Sequence, residues 1–558
     1  MWDTLVRPSA AAAESFRASG RWRDRTILDD LQRGVRSDPD KPAIISYADG
    51  SLTRTITYRE LAELVDRFAA GLLELGVRRQ DVVAVHLPNL WLLSPLYLAC
   101  VRIGAVPAPV MPALGARELG HVLNKSGAKV CFVPDTFNGI DYAKRLADVA
   151  PASLEHRVVV RTGSAATPDG AIDFDEFFCD NAWEQTHQLP ELSSLHADDI
   201  SLLLFTSGTT GAPKAVAHSH NTLSAGAIAL PQVWGWGSDI VVSVPHPMTH
   251  LAGTIFSCYM SLILGGTSVL QDKPDSGVLL DMIAKHGVTY VYAGPIHVVG
   301  LVDEQRRNPR DLSSLRQLIS GSAPIPPKLI ADVREVLGVD LGALWGMSEN
   351  GPITVTRPDD PPGWAAHSDG SLVAGSELRI DAEPGEEIGR LLTRGPSQCL
   401  GYLNQREVYE ERLDPDGWFD TGDMARPDGR GGIRITGRRD DLITRRFGLK
   451  VPTLEVESVL EQHPRIAEVA LIGYPDPQMP TADEVCAVIV PAGEPPTLEE
   501  LNSYLDEIGM TWANWPDRIE IRQQLPRNSM GKVQRAELRA ELAGAELAGG
   551  ESADARAR

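Results

Sequence analysis

The chain has 558 residues, of which 43% are hydrophobic and 23% charged, and its formal net charge at pH 7 is −22. This length allows one large domain with a sizeable core and a second, smaller domain, and the composition is ordinary for globular proteins. The negative charge argues against nucleic-acid binding, which needs a basic surface, and against docking on anionic membranes.

Cysteine spacing and apolar runs indicate the cellular compartment. The six cysteines form no CxxC pair, which predicts buried, reduced thiols and neither a disulfide framework nor a zinc site. Charged residues interrupt the N-terminal segment, and Arg102 and three prolines interrupt the most apolar stretch, residues 91–111. We therefore expect no signal peptide, no membrane span and a cytoplasmic location.

Strand-like apolar runs alternate with amphipathic helices through most of the chain, which predicts an α/β fold. The first clear helix is expected to begin at a capping box formed by Thr57 and Glu60 and to end at Gly76. A strand over residues 82–86 should follow it, and then a buried helix and a strand over residues 91–110. These units are typical of a sheet covered by helices.

A loop rich in hydroxyl groups and glycine follows a short apolar strand at residues 202–205 and runs from Thr206 to Lys214. It offers four hydroxyls, backbone N–H groups at two glycines and one ammonium group, which together suit a polyphosphate. The spacing is not that of a Walker A loop. A Ser/Thr/Gly surface turn without a ligand is the alternative interpretation at this point.

A turn cluster at residues 427–432 is the clearest domain boundary, and a charged run at 437–441 follows it. We predict a large N-terminal domain over residues 1–436, a hinge at 437–441 and a small α/β domain over 442–543. Inside the small domain the sequence predicts one helix and two strands, at residues 453–462, 467–472 and 484–490. The tail at 544–558 is rich in Ala, Gly, Glu and Ser and is expected to be disordered.

The loop at residues 206–214 resembles the phosphate loop of the adenylate-forming superfamily, which includes acyl- and aryl-CoA synthetases, nonribosomal adenylation domains and beetle luciferases. Four more segments resemble motifs of that family in the same order, at residues 321–324, 345–349, 417–423 and 525–532. The resemblance covers nearly the whole chain. It implies a large adenylation domain with mixed sheets and helices, a small mobile C-terminal domain, and ATP and Mg²⁺ as ligands.

The resemblance also implies roles for individual residues. Glu349 would hold Mg²⁺ between ATP phosphates, and Ser348, where relatives more often have Thr, would bond a phosphate. Asp423 would accept the ribose hydroxyls, and Arg438 would reach the ribose or a phosphate. Lys532 would place its charge on the pentavalent transition state, where losing one such charge costs about 10²–10³ in rate. Thr206 would be catalytic, and the remaining nucleotide-binding residues would be Ser207, Gly208, Thr209, Thr210, Gly211, Lys214, Gly321, Ser322, Ala323, Trp345 and Gly346.

The acid pocket is expected near residues 246–250, which resemble the family's pocket floor and put His250 beside the α-phosphate and the acid. A satisfied core histidine is the alternative for His250. Gly294, Pro295 and residues 320–323 resemble other walls of the pocket. No charged residue stands out in these segments, so the sequence favours an apolar or aromatic acid.

Residues 442–451 depart from the family pattern, because the segment is one residue longer ahead of its single glycine, Gly448, and bulky Phe447 precedes that glycine. In relatives this loop lines the pantetheine channel, where glycines allow close approach. The expected function is an AMP-forming carboxylate–CoA ligase, since the N-terminal half resembles bacterial cyclohexanecarboxylate and medium-chain acyl-CoA ligases. The alternative is a CoA-independent, ATP-dependent diazotase that activates nitrite for transfer to an aromatic amine. The presence of Lys532, Glu349 and Asp423 argues against an inactive binding protein.

Overall fold

The structure is a computed structural model, which describes residues 2–163, 167–206, 213–445, 450–476, 479–527 and 532–542. The strands of the larger part are β1 Pro42–Ala48, β2 Ser51–Thr57, β3 Val82–Val85, β4 Val106–Pro109, β5 Val130–Pro134, β6 Thr136–Phe137, β7 Ile140–Asp141, β8 His156–Val160, β9 Ile172–Asp173, β10 Ile200–Thr206, β11 Lys214–Ser219, β12 Val241–Ser243, β13 Thr267–Gln271, β14 Tyr290–Ala293, β15 Gln317–Ser320, β16 Leu341–Met347, β17 Gly351–Val355, β18 Ser371–Leu372, β19 Glu377–Asp381, β20 Gly389–Arg394, β21 Phe419–Pro427 and β22 Ile433–Arg438. The smaller part contains β23 Ile443–Thr444, β24 Lys450–Val451, β25 Ile466–Asp476, β26 Met479–Pro491 and β27 Arg518–Ile521.

The α-helices are α1 Ala10–Ala18, α2 Ile27–Ser37, α3 Tyr58–Glu74, α4 Leu93–Arg102, α5 Ala116–Ser126, α6 Tyr142–Val149, α7 His220–Trp234, α8 Leu251–Gly253, α9 Ser261–Leu264, α10 Ser276–His286, α11 Pro295–Arg307, α12 Pro327–Leu337, α13 Arg406–Glu410, α14 Thr453–Leu460 and α15 Leu498–Glu507. A π-helical turn at Thr254–Met260 joins α8 to α9, so this helical run is continuous. Among the residues described, no helix is both long and apolar enough to cross a membrane.

Two sheets form the core of the larger part. The first has nine strands in the order β18-β17-β16-β15-β14-β12-β13-β1-β2, and the six from β16 to β1 run parallel. The second is parallel, in the order β4-β3-β5-β8-β9. Because parallel strands end at the same edge, the segments that follow β12, β14, β15 and β16 meet along one line, where α/β proteins commonly bind ligands.

Two antiparallel units complete the frame of the site. β10 and β11 form a hairpin with Thr206 opposite Lys214, and β19 to β22 form a four-stranded sheet in sequence order. In the smaller part, β25, β26 and β27 form a sheet, with α14 and α15 packed into the same core. The predicted α/β fold, with a large N-terminal and a small C-terminal domain, is confirmed. The exact domain limits and the hinge at 437–441 stay predictions.

The helix predicted after residue 57 shows where tertiary contacts override a local motif. Thr57 caps α3 by accepting a hydrogen bond from the backbone N–H of Glu60, as expected. The Glu60 carboxylate instead accepts a hydrogen bond from Arg54 Nη2 at 2.7 Å. The predicted box is therefore only half formed, because a guanidinium on β2 supplies a charged partner that competes with the backbone N–H.

Candidate active site

Asp423 lies at the centre of a hydrogen-bonded group. It belongs to the segment at residues 417–423, which resembles the family motif expected to bind the ribose. It sits on β21 directly opposite Arg438 on β22, and Arg438 Nη1 lies 2.9 Å from Asp423 Oδ1. Trp345, on β16, donates its indole N–H to Asp423 Oδ2 at 3.1 Å. Burial raises the pKa of the Asp423 carboxyl, and the charges of Arg438 and Lys532 oppose that shift. Three separated motifs thus converge on one carboxylate.

Glu349 is fixed by a residue that the sequence analysis did not single out. Its side chain is buried, and Tyr402 donates its hydroxyl to Glu349 Oε1 at 2.8 Å. Lys214 Nζ lies 4.9 Å from the centroid of the same tyrosine ring, a cation–π contact. Tyr402 therefore links the start of β11, next to the predicted phosphate loop, to the predicted metal ligand.

The turn that presents Ser348 and Glu349 is held from two sides. His218 Nε2 lies 2.7 Å from the carbonyl oxygen of Ser348, and the amide oxygen of Asn350 accepts the N–H of Met347 at 3.2 Å. The Asn350 amide nitrogen donates to a buried threonine hydroxyl at 2.9 Å. These bonds hold the β16–β17 turn in a fixed shape, so Ser348 and Glu349 keep a constant spacing.

The segment after β15 needs both a glycine and an unusual backbone. A Cβ atom on Gly321 would lie 2.5 Å from the carbonyl oxygen of Leu344, so only glycine fits without a backbone shift. Ser322 has φ 70°, in the left-handed region that non-glycine residues seldom adopt. The hydroxyls of Ser322 and Tyr292 lie 3.1 Å apart. Local strain of this kind often marks ligand-binding loops.

His250 lies where the acid and Lys532 are expected to meet. Its Nδ1 accepts the backbone N–H of Ala252 at 3.3 Å, which puts the ring proton of the neutral form on Nε2. Burial, together with the nearby Lys532 charge, lowers the pKa of His250 to about 4. The Lys532 side chain keeps solvent exposure, yet burial of its ammonium and the Arg438 charge lower the pKa of Lys532. At neutral pH the imidazole of His250 is therefore uncharged.

The predicted pocket walls come together. The His246 ring lies 6.0 Å from the His250 ring, centroid to centroid. A Cβ atom on Gly294 would be 3.4 Å from the His246 ring and 3.9 Å from the carbonyl oxygen of Gly321. The segments after β12, β14 and β15 thus share one small space.

The structure describes most of the predicted site residues but not all. Thr206 and Lys214 are described at the two ends of the loop, whereas Ser207, Gly208, Thr209, Thr210 and Gly211 lie outside the described residues. Ala323 follows Ser322, and a Cβ atom on Gly346 would lie 2.2 Å from a backbone oxygen of β17. Phe447 and Gly448, the two residues at which the 442–451 segment departs from the family pattern, also lie outside the described residues.

Comparison with known proteins agrees with this geometry. Residues 31–403 match the model of the AMP-binding enzyme family, and residues 455–532 match its C-terminal domain. A medium-chain fatty-acid–CoA ligase of Escherichia coli K12 is 30% identical, over 95% of this chain and 92% of the relative. A salicylyl-CoA synthase/salicylate adenylyltransferase of a Streptomyces species is 31% identical, over 95% of this chain and 96% of the relative. A crystal structure of an anthranilate CoA ligase with anthranoyl-AMP superposes with TM-score 0.81 at 26% identity, covering 94% of this chain and 98% of that one.

These matches extend over most of the chain, and the relatives and the fold together define an adenylating enzyme. The chain belongs to the family of AMP-binding enzymes, and the predicted AMP-forming, acid-activating ligase class is confirmed.

Proposed function

We propose that this enzyme uses ATP to convert a small organic acid into its acyl-adenylate and then transfers the acyl group to CoA. The observation that supports the proposal is that the Lys532 charge acts on both Asp423 and His250. Trp345, on the strand that leads to Glu349, donates a hydrogen bond to the same Asp423. In the first step a carboxylate oxygen attacks the α-phosphorus and pyrophosphate leaves. In the second, a thiolate sulfur attacks the acyl carbon, the C–O bond to AMP breaks and AMP leaves.

The nucleoside would be bound on the β21–β22 side. Asp423 would accept the two ribose hydroxyls, a task that suits a carboxylate already held by Trp345 and Arg438. The adenine would lie against the segment after β15, where Gly321, Ser322 and Ala323 provide a narrow backbone surface. Gly346 would serve the same purpose on β16, since any larger residue would collide with β17.

The phosphates would lie between the β10–β11 hairpin and the β16–β17 turn. Thr206, Lys214, Ser348 and the loop at residues 207–211 would supply hydroxyls, N–H groups and one ammonium. Glu349 suits Mg²⁺, because Tyr402 occupies only one of its carboxylate oxygens in the described contacts. Mg²⁺ usually takes one or two carboxylates and completes its shell with phosphates and water, and when bound it would neutralise phosphate charge.

The chemical step would take place between His250 and Lys532. The Nε2–H of neutral His250 can donate to an oxygen of the acid or adenylate without adding a charge that would bind the ground state too tightly. The Lys532 ammonium would stabilise the extra negative charge that builds up around the α-phosphorus. A site that is filled by substrates and poor in water strengthens both interactions.

The proposal includes CoA as the acceptor and a cytoplasmic location, where CoA is available. The acceptor can be tested directly on the purified enzyme. The purified enzyme should release AMP and form a thioester when ATP, an acid and CoA are supplied together. AMP release that requires nitrite and an aromatic amine, and is indifferent to CoA, would replace the ligase by the diazotase. Each assay should include a reaction without acceptor, because slow hydrolysis of the adenylate also releases AMP.

Asp423→Asn is expected to raise the KM for ATP by about 30- to 100-fold, with a smaller change in the KM for the acid. The amide would present N–H groups to Trp345 or Arg438, which are themselves donors, and a lost charged hydrogen bond is worth about 2–3 kcal/mol. Steady-state pyrophosphate exchange at varied ATP measures the effect. Asp381→Asn, which removes an exposed partner of Arg390, is the matched control, and an equal effect in both variants would contradict the ribose role.

Asp440→Pro is expected to leave adenylate formation within about twofold of wild type and to slow thioester formation by at least about tenfold. Asp440 is the middle residue of the short 3-10 turn Arg439–Asp441, which joins the two parts of the chain. Proline fixes φ there and would oppose a rotation of the smaller part between the two steps. Pyrophosphate exchange and single-turnover thioester formation separate the steps, with Asp440→Ala as the control. Equal loss of both steps would rule out a hinge at this residue.

A further inference from the structure

Three histidines cluster at the predicted acid pocket. His246 follows β12, His250 caps the N-terminus of α8, and His297 lies in the first turn of α11, directly after β14. The His246 ring lies 6.0 Å from His250, 5.5 Å from His297 and 5.1 Å from Tyr292, measured between centroids. The planes of these pairs are inclined by 34° to 40°, so the four rings form one contiguous group of tilted rings, which we call the wall.

The wall contains buried polar atoms that lack partners. His246 is only 3% exposed, and its Nδ1 has no hydrogen-bond partner within the described part of the chain. The same holds among the described residues for His297 Nδ1 and for the hydroxyl of Ser320, a residue that is 0% exposed. Buried polar atoms are normally satisfied, and a cluster of unsatisfied ones beside the predicted reaction centre points to a ligand that completes them.

Hydrogen bonds fix the backbone on both sides of His246, which restricts the direction in which its ring can point. Asn89 Nδ2 donates to the His246 carbonyl oxygen at 3.0 Å, and Asn89 Oδ1 accepts the N–H of Met248 at 2.6 Å. Both bonds are made by the buried side chain of Asn89, which thus holds the backbone on either side of Pro247. The ring is therefore presented by a rigid segment, as a specificity-determining side chain must be.

The wall is uncharged at neutral pH. Burial, followed by the proximity of His250 and His297, lowers the pKa of His246 well below its usual range, and burial lowers the pKa of His297. A neutral imidazole offers one donor and one acceptor. It therefore matches an uncharged hydroxyl or carbonyl group better than a second carboxylate or an ammonium, which would be buried without a counter-ion.

Resting on the proposed function, we propose that the acid activated here carries an uncharged hydrogen-bonding group, such as a hydroxyl, on a ring, and that His246 and His297 bind that group. The wall consists of aromatic rings, with Phe256 5.0 Å from Tyr292, and aromatic side chains pack favourably against another ring. A purely hydrocarbon acid would leave the buried nitrogens unpaired, and sites built to bind a hydroxyl discriminate strongly against analogues that lack it. The sequence favoured an apolar or aromatic acid, and the proposal restricts that substrate class to ring acids with a polar, uncharged substituent.

The test compares isosteric acids in the pyrophosphate-exchange assay: 2-, 3- and 4-hydroxybenzoate against the corresponding methylbenzoates, with benzoate as reference. For at least one position the hydroxy acid should have a kcat/KM at least about tenfold above its methyl counterpart. In His246→Leu that ratio should fall by at least about tenfold, and His246→Gln, which keeps a donor and an acceptor, should retain part of it. His297→Leu gives an independent second variant, and thermal unfolding shows whether each variant is folded.

Several outcomes would overturn the inference. One is equal or better use of the methyl acids at every position, and another is an unchanged ratio in both leucine variants. Exchange with hexanoate or octanoate alone would overturn it while leaving the proposed ligase function intact. Exchange with nitrite alone, or with none of these acids, would overturn both.

Discussion

Lys532→Ala should lower the rate of pyrophosphate exchange by about 10²- to 10³-fold while changing the KM for ATP by less than about threefold. The ammonium lies close enough to His250 and Asp423 to influence the pKa of both, which supports a position over the reacting atoms. Its charge matters most when the α-phosphorus is pentavalent, so its loss should act on the chemical step more than on binding. Exchange at saturating acid and varied ATP provides both constants.

Two further variants show whether the effect of Lys532→Ala is specific to this residue and to its charge. Lys328→Ala removes an exposed lysine that pairs with Asp332 on α12 and should leave exchange unchanged. Lys532→Arg keeps the charge; because the pKa of Lys532 is lowered from its usual value, the wild-type rate should decline at a lower alkaline pH than in the arginine variant. An exchange rate near wild type in Lys532→Ala would remove this residue from the mechanism.

The folded protein should lose stability steeply as the pH falls from about 6.5 towards 4. His86, His218 and His220 are almost fully buried, and burial lowers the pKa of each to about 4. In the unfolded chain the same groups bind protons near pH 6.5. Between these values the unfolded state holds more protons, so acid favours unfolding, by about 2 kcal/mol for each histidine at pH 5.

Summed over the three histidines, the loss in free energy of unfolding at pH 5 is about 6 kcal/mol, which is comparable with the whole stability of a typical domain. Glu461, whose pKa is raised to about 7 chiefly by burial, shifts the balance the other way, but it is one group against three histidines. Urea unfolding midpoints at pH 7.5 and pH 5.0 measure the loss. His86→Gln, which cannot be protonated, should recover roughly a third of it, and a midpoint that does not change with pH would contradict the assignment.

The residues of a contiguous motif could be located from the sequence alone, because local spacing fixes them, whereas their roles stay predictions. Asp423 and Glu349 are of this kind, although the structure alone supplies their partners. Tyr402 was missed, since its bond to Glu349 spans 53 residues and depends on the bridge between Tyr402 and Val216 on β11. His246 was placed in the pocket segment, but neither its unpartnered nitrogen nor its neighbour His297 follows from any sequence pattern.

The hydrophobic cores of the two parts have no residue in common. In the described chain, the core clusters of the smaller part begin at Ile443, and those of the larger part end with Ile435 on β22. The contacts between them include the ion pair Arg426–Glu455, at 3.7 Å, and a surface pair of this type contributes about 0–1 kcal/mol. We therefore expect substitutions in the proposed acid pocket to leave the packing of the smaller part undisturbed. Selection could then change the acid that is bound without altering the part of the chain that carries Lys532.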